Sequence, residues 1–84
     1  SRGYDVKIGI QEGSEIDFIA VKNGKKEYYQ VCYVLSDDKV INREFGAYKN
    51  VEDNYPKYVL STDTIDMSQD GIIHKNIIDW LLDR

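Results

Sequence analysis

The sequence predicts an α/β domain, a small mixed β-sheet with a crossover helix and a C-terminal helix. Three observations carry this. Two strand-like runs, residues 15–21 and 27–35, flank an Asn23-Gly24 turn. A stretch of helical period comes next and separates them from a further strand-like run at 57–61. An apolar helical run closes the chain.

Each element has its own signal. In residues 4–10, Val6, Ile8 and Ile10 alternate with Asp5, Lys7 and Gly9, the period of a half-buried strand. Residues 11–14, with Gly13, make a turn. Residues 15–21 have fewer polar breaks and read as a more central strand. Asn-Gly is the strongest short-range hairpin signal, because both central positions of a type I′ turn need positive φ. It predicts that 15–21 and 27–35 pair as a hairpin. In the third strand Tyr28, Gln30, Cys32 and Val34 share one face, and Tyr29, Val31, Tyr33 and Leu35 the other.

Ser36, Asp37 and Asp38 supply an N-cap and an acidic first turn. Val40, Ile41, Phe45, Ala47, Tyr48 and Val51 then recur at helical spacing, interrupted by Gly46. Pro56 ends this segment. Residues 57–61 are the fourth strand, and a helix between strands three and four is a crossover, which allows them to be parallel. Residues 62–69 form a polar loop and Asp70-Gly71 a turn. Residues 75–82 read as a short helix with Ile77, Ile78, Leu81 and Leu82 inward and Trp80 flanking.

Eighty-four residues allow one domain, spanning 1–84, with a thin core. Hydrophobic content of 42% with 31% charged residues is that of a globular domain rather than a disordered tail. A net charge of −4 argues against gripping nucleic acid through bulk electrostatics, since phosphate contacts need clustered Lys and Arg. One cysteine cannot form an internal disulfide, so a cytoplasmic location is expected. The sequence has no apolar run long enough to span a membrane as a helix. A chain starting at Ser1 reads as a fragment of a longer protein.

The candidate chemistry sits on the hairpin. Asp17 and Gln30 can converge on one face, and neighbouring strands lie about 5 Å apart, which suits a two-strand metal site. Glu15, two residues before Asp17, falls on the same face and adds a carboxylate. The plainer reading makes Glu15 and Asp17 solvent-facing, Gln30 a buried amide satisfied by the backbone, and Cys32 a small core residue. His74 with Asp63, Asp66 or Asp70 sketches a second metal site. A role for His74 at a helix start is the plainer reading, and the three Asp lack the spacing of a calcium loop. Arg43-Glu44 reads as a salt bridge on the helix. Tyr28, Tyr29, Tyr33 and Tyr48 can stack on nucleobases, but without a basic groove most read as core packing.

Five stretches carry a family resemblance: Glu15-Ile16-Asp17-Phe18, Tyr29-Gln30-Val31, Arg43-Glu44, 53–58 (Asp-Asn-Tyr-Pro-Lys-Tyr) and Gly71-Ile72-Ile73-His74. Together and in this order they resemble the C-terminal domain, of unknown function, of predicted bacterial and archaeal AAA+ superfamily ATPases. That domain in turn resembles a degenerate PD-(D/E)XK nuclease, the restriction-endonuclease-like fold with a β-β-β-α-β-α core. The resemblance implies that Asp17 matches the metal-binding Asp, Gln30 the Glu, and Cys32 the position of the Lys. The departures at 30 and 32 remove a carboxylate and a cation that Mg²⁺-assisted phosphodiester cleavage uses. The resemblance therefore implies a non-catalytic binding module with no cofactor of its own. It would be joined to an N-terminal ATPase domain that binds ATP, and would engage nucleic acid or protein. Two alternatives stay open: a Mg²⁺-dependent DNA nuclease centred on Asp17 and Gln30, and a self-associating domain whose edge strand 4–10 pairs across a two-fold axis.

Overall fold

The structure, a computed structural model, describes residues 6–9 and 16–82. Its elements are β1 (Val6–Gly9), β2 (Phe18–Lys22), β3 (Lys25–Val31), α1 (Asp38–Gly46), β4 (Lys57–Ser61), β5 (Ile73–Asn76) and α2 (Ile77–Leu82). The strands form one mixed sheet in the order β1-β2-β3-β4-β5. β1, β2 and β3 make an antiparallel meander, and β4 and β5 then add in parallel.

The hairpin forms where the sequence places it. Asn23 and Gly24 have φ of 55° and 77°, and Lys22 pairs with Lys25 across them. That geometry is open to Gly and tolerated by Asn, and it matches the twist of the flanking strands. α1 begins as expected: the Asp37 carboxylate accepts from the Val40 N–H at 3.0 Å. It stops at Gly46, earlier than the apolar spacing predicts, and residues 47–50 continue as turns. Val51 still reaches the core from this irregular segment.

Two expectations need correction at the C-terminal end. Residues 73–76 form a fifth strand beside β4, so Lys75 and Asn76 are extended and the helix starts at Ile77. The inward face of α2 also differs. Ile77 and Trp80 pack on the sheet, whereas Ile78, Leu81 and Leu82 are exposed. The Asn76 carboxamide accepts from the N–H groups of Ile78 and Asp79 and so sets where the first turn begins.

The sheet is covered on both faces rather than by one helical layer. Ile16, Tyr28, Leu35, Phe45, Tyr48, Val59 and Ile72 form the core under α1. Ala20, Tyr29 and Leu60 form a second core with Phe18, Tyr58, Ile77 and Trp80. Val59 and Leu60, adjacent on β4, are each 0% exposed, so this strand is buried on both faces. Leu35, expected on the Tyr29 face, instead joins the Tyr28 core, because the strand ends at Val31 and the strict alternation ends with it.

The motif of residues 53–58 builds a self-contained clamp. Lys57 donates from Nζ to the backbone carbonyls of Asp53 and Tyr55 and to the Asp53 carboxylate. The Tyr28 hydroxyl donates to the same carboxylate. That hydrogen bond, aided by burial, pushes the Tyr28 pKa up to about 12 and holds Asp53 below the usual carboxylate range. These bonds seat the turn before β4 against β3.

Candidate functional site

Asp17 lies just ahead of β2, where the β2–β3 ladder ends at the Phe18–Tyr29 pair. Its backbone N–H donates to Gln30 Oε1 at 2.6 Å, and its Oδ2 accepts from the Val31 N–H at 2.8 Å. The two residues are neighbours, but each of these bonds joins a side chain to the backbone and not the two side chains to one another. The bonds replace the missing rungs of the ladder. The amide oxygen of Gln30, which would have to face a metal, is taken by a backbone donor. Gln30 is buried and Asp17 exposed, so the junction sits at the surface with its inner half enclosed.

Cys32 comes just after β3, half-buried, and its thiol donates to the Val34 carbonyl at 3.2 Å. Burial pushes the thiol pKa up, and the negative charge of Glu44 adds to it. The position matched to a lysine thus carries a neutral, hydrogen-bonded thiol that packs against the core under α1. Among the described residues the side-chain ion pairs are Arg43–Glu44 and Lys57–Asp53, and neither places a cation on Asp17. Glu15 lies outside the described residues.

The Arg43–Glu44 pair forms, Nε to Oε2 at 3.2 Å, but Glu44 points inward and is only 8% exposed. Its Oε1 is enclosed with no hydrogen-bond partner. The Tyr48 hydroxyl donates to the Tyr58 carbonyl at 2.6 Å, and burial raises its pKa. Charge on Asp17 and on Glu44 adds to that shift, which places both carboxylates in the surroundings of one phenol. The sequence pattern carries a signal for this burial: four residues after Val40 and three after Ile41, Glu44 falls inside the apolar stripe of α1.

His74 is not a metal ligand in this arrangement. Its Nδ1 accepts from the Met67 N–H at 3.1 Å, so the ring proton sits on Nε2, which donates to Ser61 Oγ at 2.7 Å. The Ser61 hydroxyl then donates to Asp63 Oδ2 at 2.8 Å, and the Asp63 N–H returns a bond to Ser61 Oγ. Asp63 also accepts from the Leu35 N–H, and that bond, more than the one from Ser61, holds its carboxyl below the usual range. Serine, histidine and aspartate meet here, yet the proton order is the reverse of a hydrolytic triad: the imidazole donates to the serine and the serine to the carboxylate. Ser61 is 0% exposed, so no substrate reaches it. Sequence reasoning pairs His74 with Asp63 as a metal site and misses Ser61, which lies between them.

The remaining acids do not converge. Asp66 accepts from the Ser68 N–H and hydroxyl within its own loop, and Asp70 takes φ of 53° in the turn with Gly71. Among the described residues no group of three or more His, Cys, Asp or Glu side chains is arranged to hold a metal ion. Tyr28, Tyr29 and Tyr48 are buried, as core packing requires, while Tyr33 is 81% exposed. Tyr29 is stacked between Phe18 and Tyr58 at centroid distances of 4.8 and 5.0 Å, so its ring faces are already occupied.

No family model matches the chain, and no solved structure matches it. An uncharacterized protein of Haemophilus influenzae is 33% identical over 82 residues, which is 96% of this chain and 20% of that protein. The chain therefore spans about a fifth of the length of the curated relative it matches. Among the described residues no helix is long and apolar enough to cross a membrane.

Proposed function

We propose that this chain is an accessory binding module of a longer ATP-binding protein of the AAA+ type, built on a restriction-endonuclease-like core and without catalysis of its own. The observation that carries the reading is the Asp17–Gln30 junction. Of the oxygens that a nuclease would offer to Mg²⁺, Gln30 Oε1 here accepts from the Asp17 N–H and Asp17 Oδ2 from the Val31 N–H, which closes the strand ladder. The antiparallel meander, crossover helix and parallel β4 agree with the β-β-β-α-β part of the core that the resemblance implies. β5 is an addition to that pattern. The match to one fifth of a longer relative is consistent with a module in a larger protein, with its ATPase domain as first partner.

One observation favours the rival reading, a Mg²⁺-dependent DNA nuclease. Glu44 brings a second carboxylate, this one buried and with an unpartnered oxygen, near Cys32. A titration with Mg²⁺ and Mn²⁺ followed by amide NMR, with plasmid cleavage on the same sample, separates the two. A binding module shows no cleavage and no specific shifts around Asp17 and Gln30. Specific shifts with cleavage that Asp17→Ala abolishes would establish the nuclease and overturn the module.

A further inference from the structure

The β5 edge of the sheet, where the loop after β4 and the helix α2 meet it, carries a group of exposed aliphatic side chains. Ile65 is 71% exposed, Leu82 61%, Ile78 54% and Ile73 40%. Ile65, Ile73 and Leu82 line one groove of about 570 Å³ between the loop after β4, the strand β5 and α2. Ile78 lies one turn before Leu82 and extends that surface along the helix. Aliphatic side chains gathered this way, rather than scattered singly, mark a contact surface. The margin is acidic: Asp63, Asp66 and Asp79 line the same groove. Hydrogen bonds from Leu35 and from Ser68 keep Asp63 and Asp66 charged. Among the described residues the lysine lining it is Lys75, with its ammonium 5.6 Å from the Tyr58 ring centroid on the sheet face.

We infer that this groove docks a surface of the longer polypeptide outside the present domain, one with an aliphatic centre and a lysine- or arginine-rich margin. The inference rests on the reading of the chain as a module of a longer protein and names the face by which it is held. Charge decides between occupants. A second copy would bring three more carboxylates against these three, and the chain as a whole is net −4, so self-pairing here is opposed. A partner that is apolar at the centre and basic at the rim meets both features, the usual anatomy of such contacts. The residues outside the matched fifth of the relative are about four times as many as those inside, ample to supply it.

The test uses the full-length protein carrying this domain, with the photo-crosslinking residue p-benzoylphenylalanine placed in turn at positions 78, 82 and 33. Position 33 is the control, being exposed and outside the groove. Positions 78 and 82 are expected to link, within one polypeptide, to a segment beyond this domain, with a yield several-fold above position 33. Asp79→Lys is expected to lower that yield several-fold at low salt. Links between two copies of the domain, or yields equal to that at position 33, would overturn the inference. An unchanged yield in Asp79→Lys would overturn its basic margin. A natural product that consists of this domain alone would overturn the module reading itself, an outcome seen from its mass before any crosslink is made.

Discussion

The Asp17–Gln30 junction and the Ser61–Asp63–His74 network are both polar clusters at strand ends, and both resemble parts of enzymes. They differ in depth and in how many groups depend on each other. At the junction, two bonds close a gap in the ladder, and one partner is exposed. In the network, an imidazole, a hydroxyl and a carboxylate tie β4, β5 and the connecting loop together, with Ser61 and His74 buried. In both places polar atoms that suggest chemistry are hydrogen-bonded to groups of the fold itself. Glu44 Oε1 is the contrast: buried, and left without a partner.

The largest effect is expected in the network. His74→Ala removes the partner of the Met67 N–H and one of the partners of Ser61 Oγ and leaves a cavity, and it should destabilise the domain by about 3 kcal/mol in urea denaturation. A loss below about 1 kcal/mol would show that the network is not a structural centre of the domain. At the junction, Asp17→Ala should cost about 1 kcal/mol, because only the Val31 N–H loses a partner and water can reach it. Asp17→Asn keeps an acceptor and should stay close to wild type by the same measurement. An Asn variant as damaged as the Ala one would mean that the charge of Asp17, rather than its geometry, matters, which would favour the metal reading.

The smallest effect is the pH dependence. Asp63 is held below its usual value when folded, so its contribution is present above about pH 4, the unfolded range, and is lost as pH falls through the folded value. Thermal melts from pH 7 down to pH 2 should therefore show a shallower acid limb in Asp63→Asn than in wild type. Identical limbs would place the acid sensitivity elsewhere, with Asp53 the next candidate.

Much of the fold was legible because its signals are local. Asn23-Gly24 sets the hairpin and Asp37 caps α1, each through bonds within a few residues. The fourth strand appears at residues 57–61 as read, bounded by Pro56 on one side and the polar loop on the other. β5 was not legible: Ile73–Asn76 is short, polar at three of its four positions, and has no turn chemistry of a strand pair beyond Asp70-Gly71. Its extended form is held by pairing with β4 and by Ser68, whose hydroxyl accepts from the His74 N–H. The inward face of α2 was misread for a related reason. Six residues with apolar side chains almost all round do not fix a helix's rotation, and the strand that feeds it does.

The same division holds for the candidate site. That Asp17 and Gln30 would be neighbours comes from the hairpin, since a two-residue turn fixes the register of every pair behind it. What they do there is not set by the turn. Whether a carboxylate or amide is offered outward or spent on a neighbouring N–H depends on where the ladder runs out, and so on how β3, β4 and the incoming chain are packed. The sequence by itself determined the hairpin, the start of α1 and the α/β class, because these rest on bonds between near neighbours. Tertiary structure alone decided the fifth strand, the face of α2 and the burial of His74, because each is settled by which distant groups reach a buried atom first.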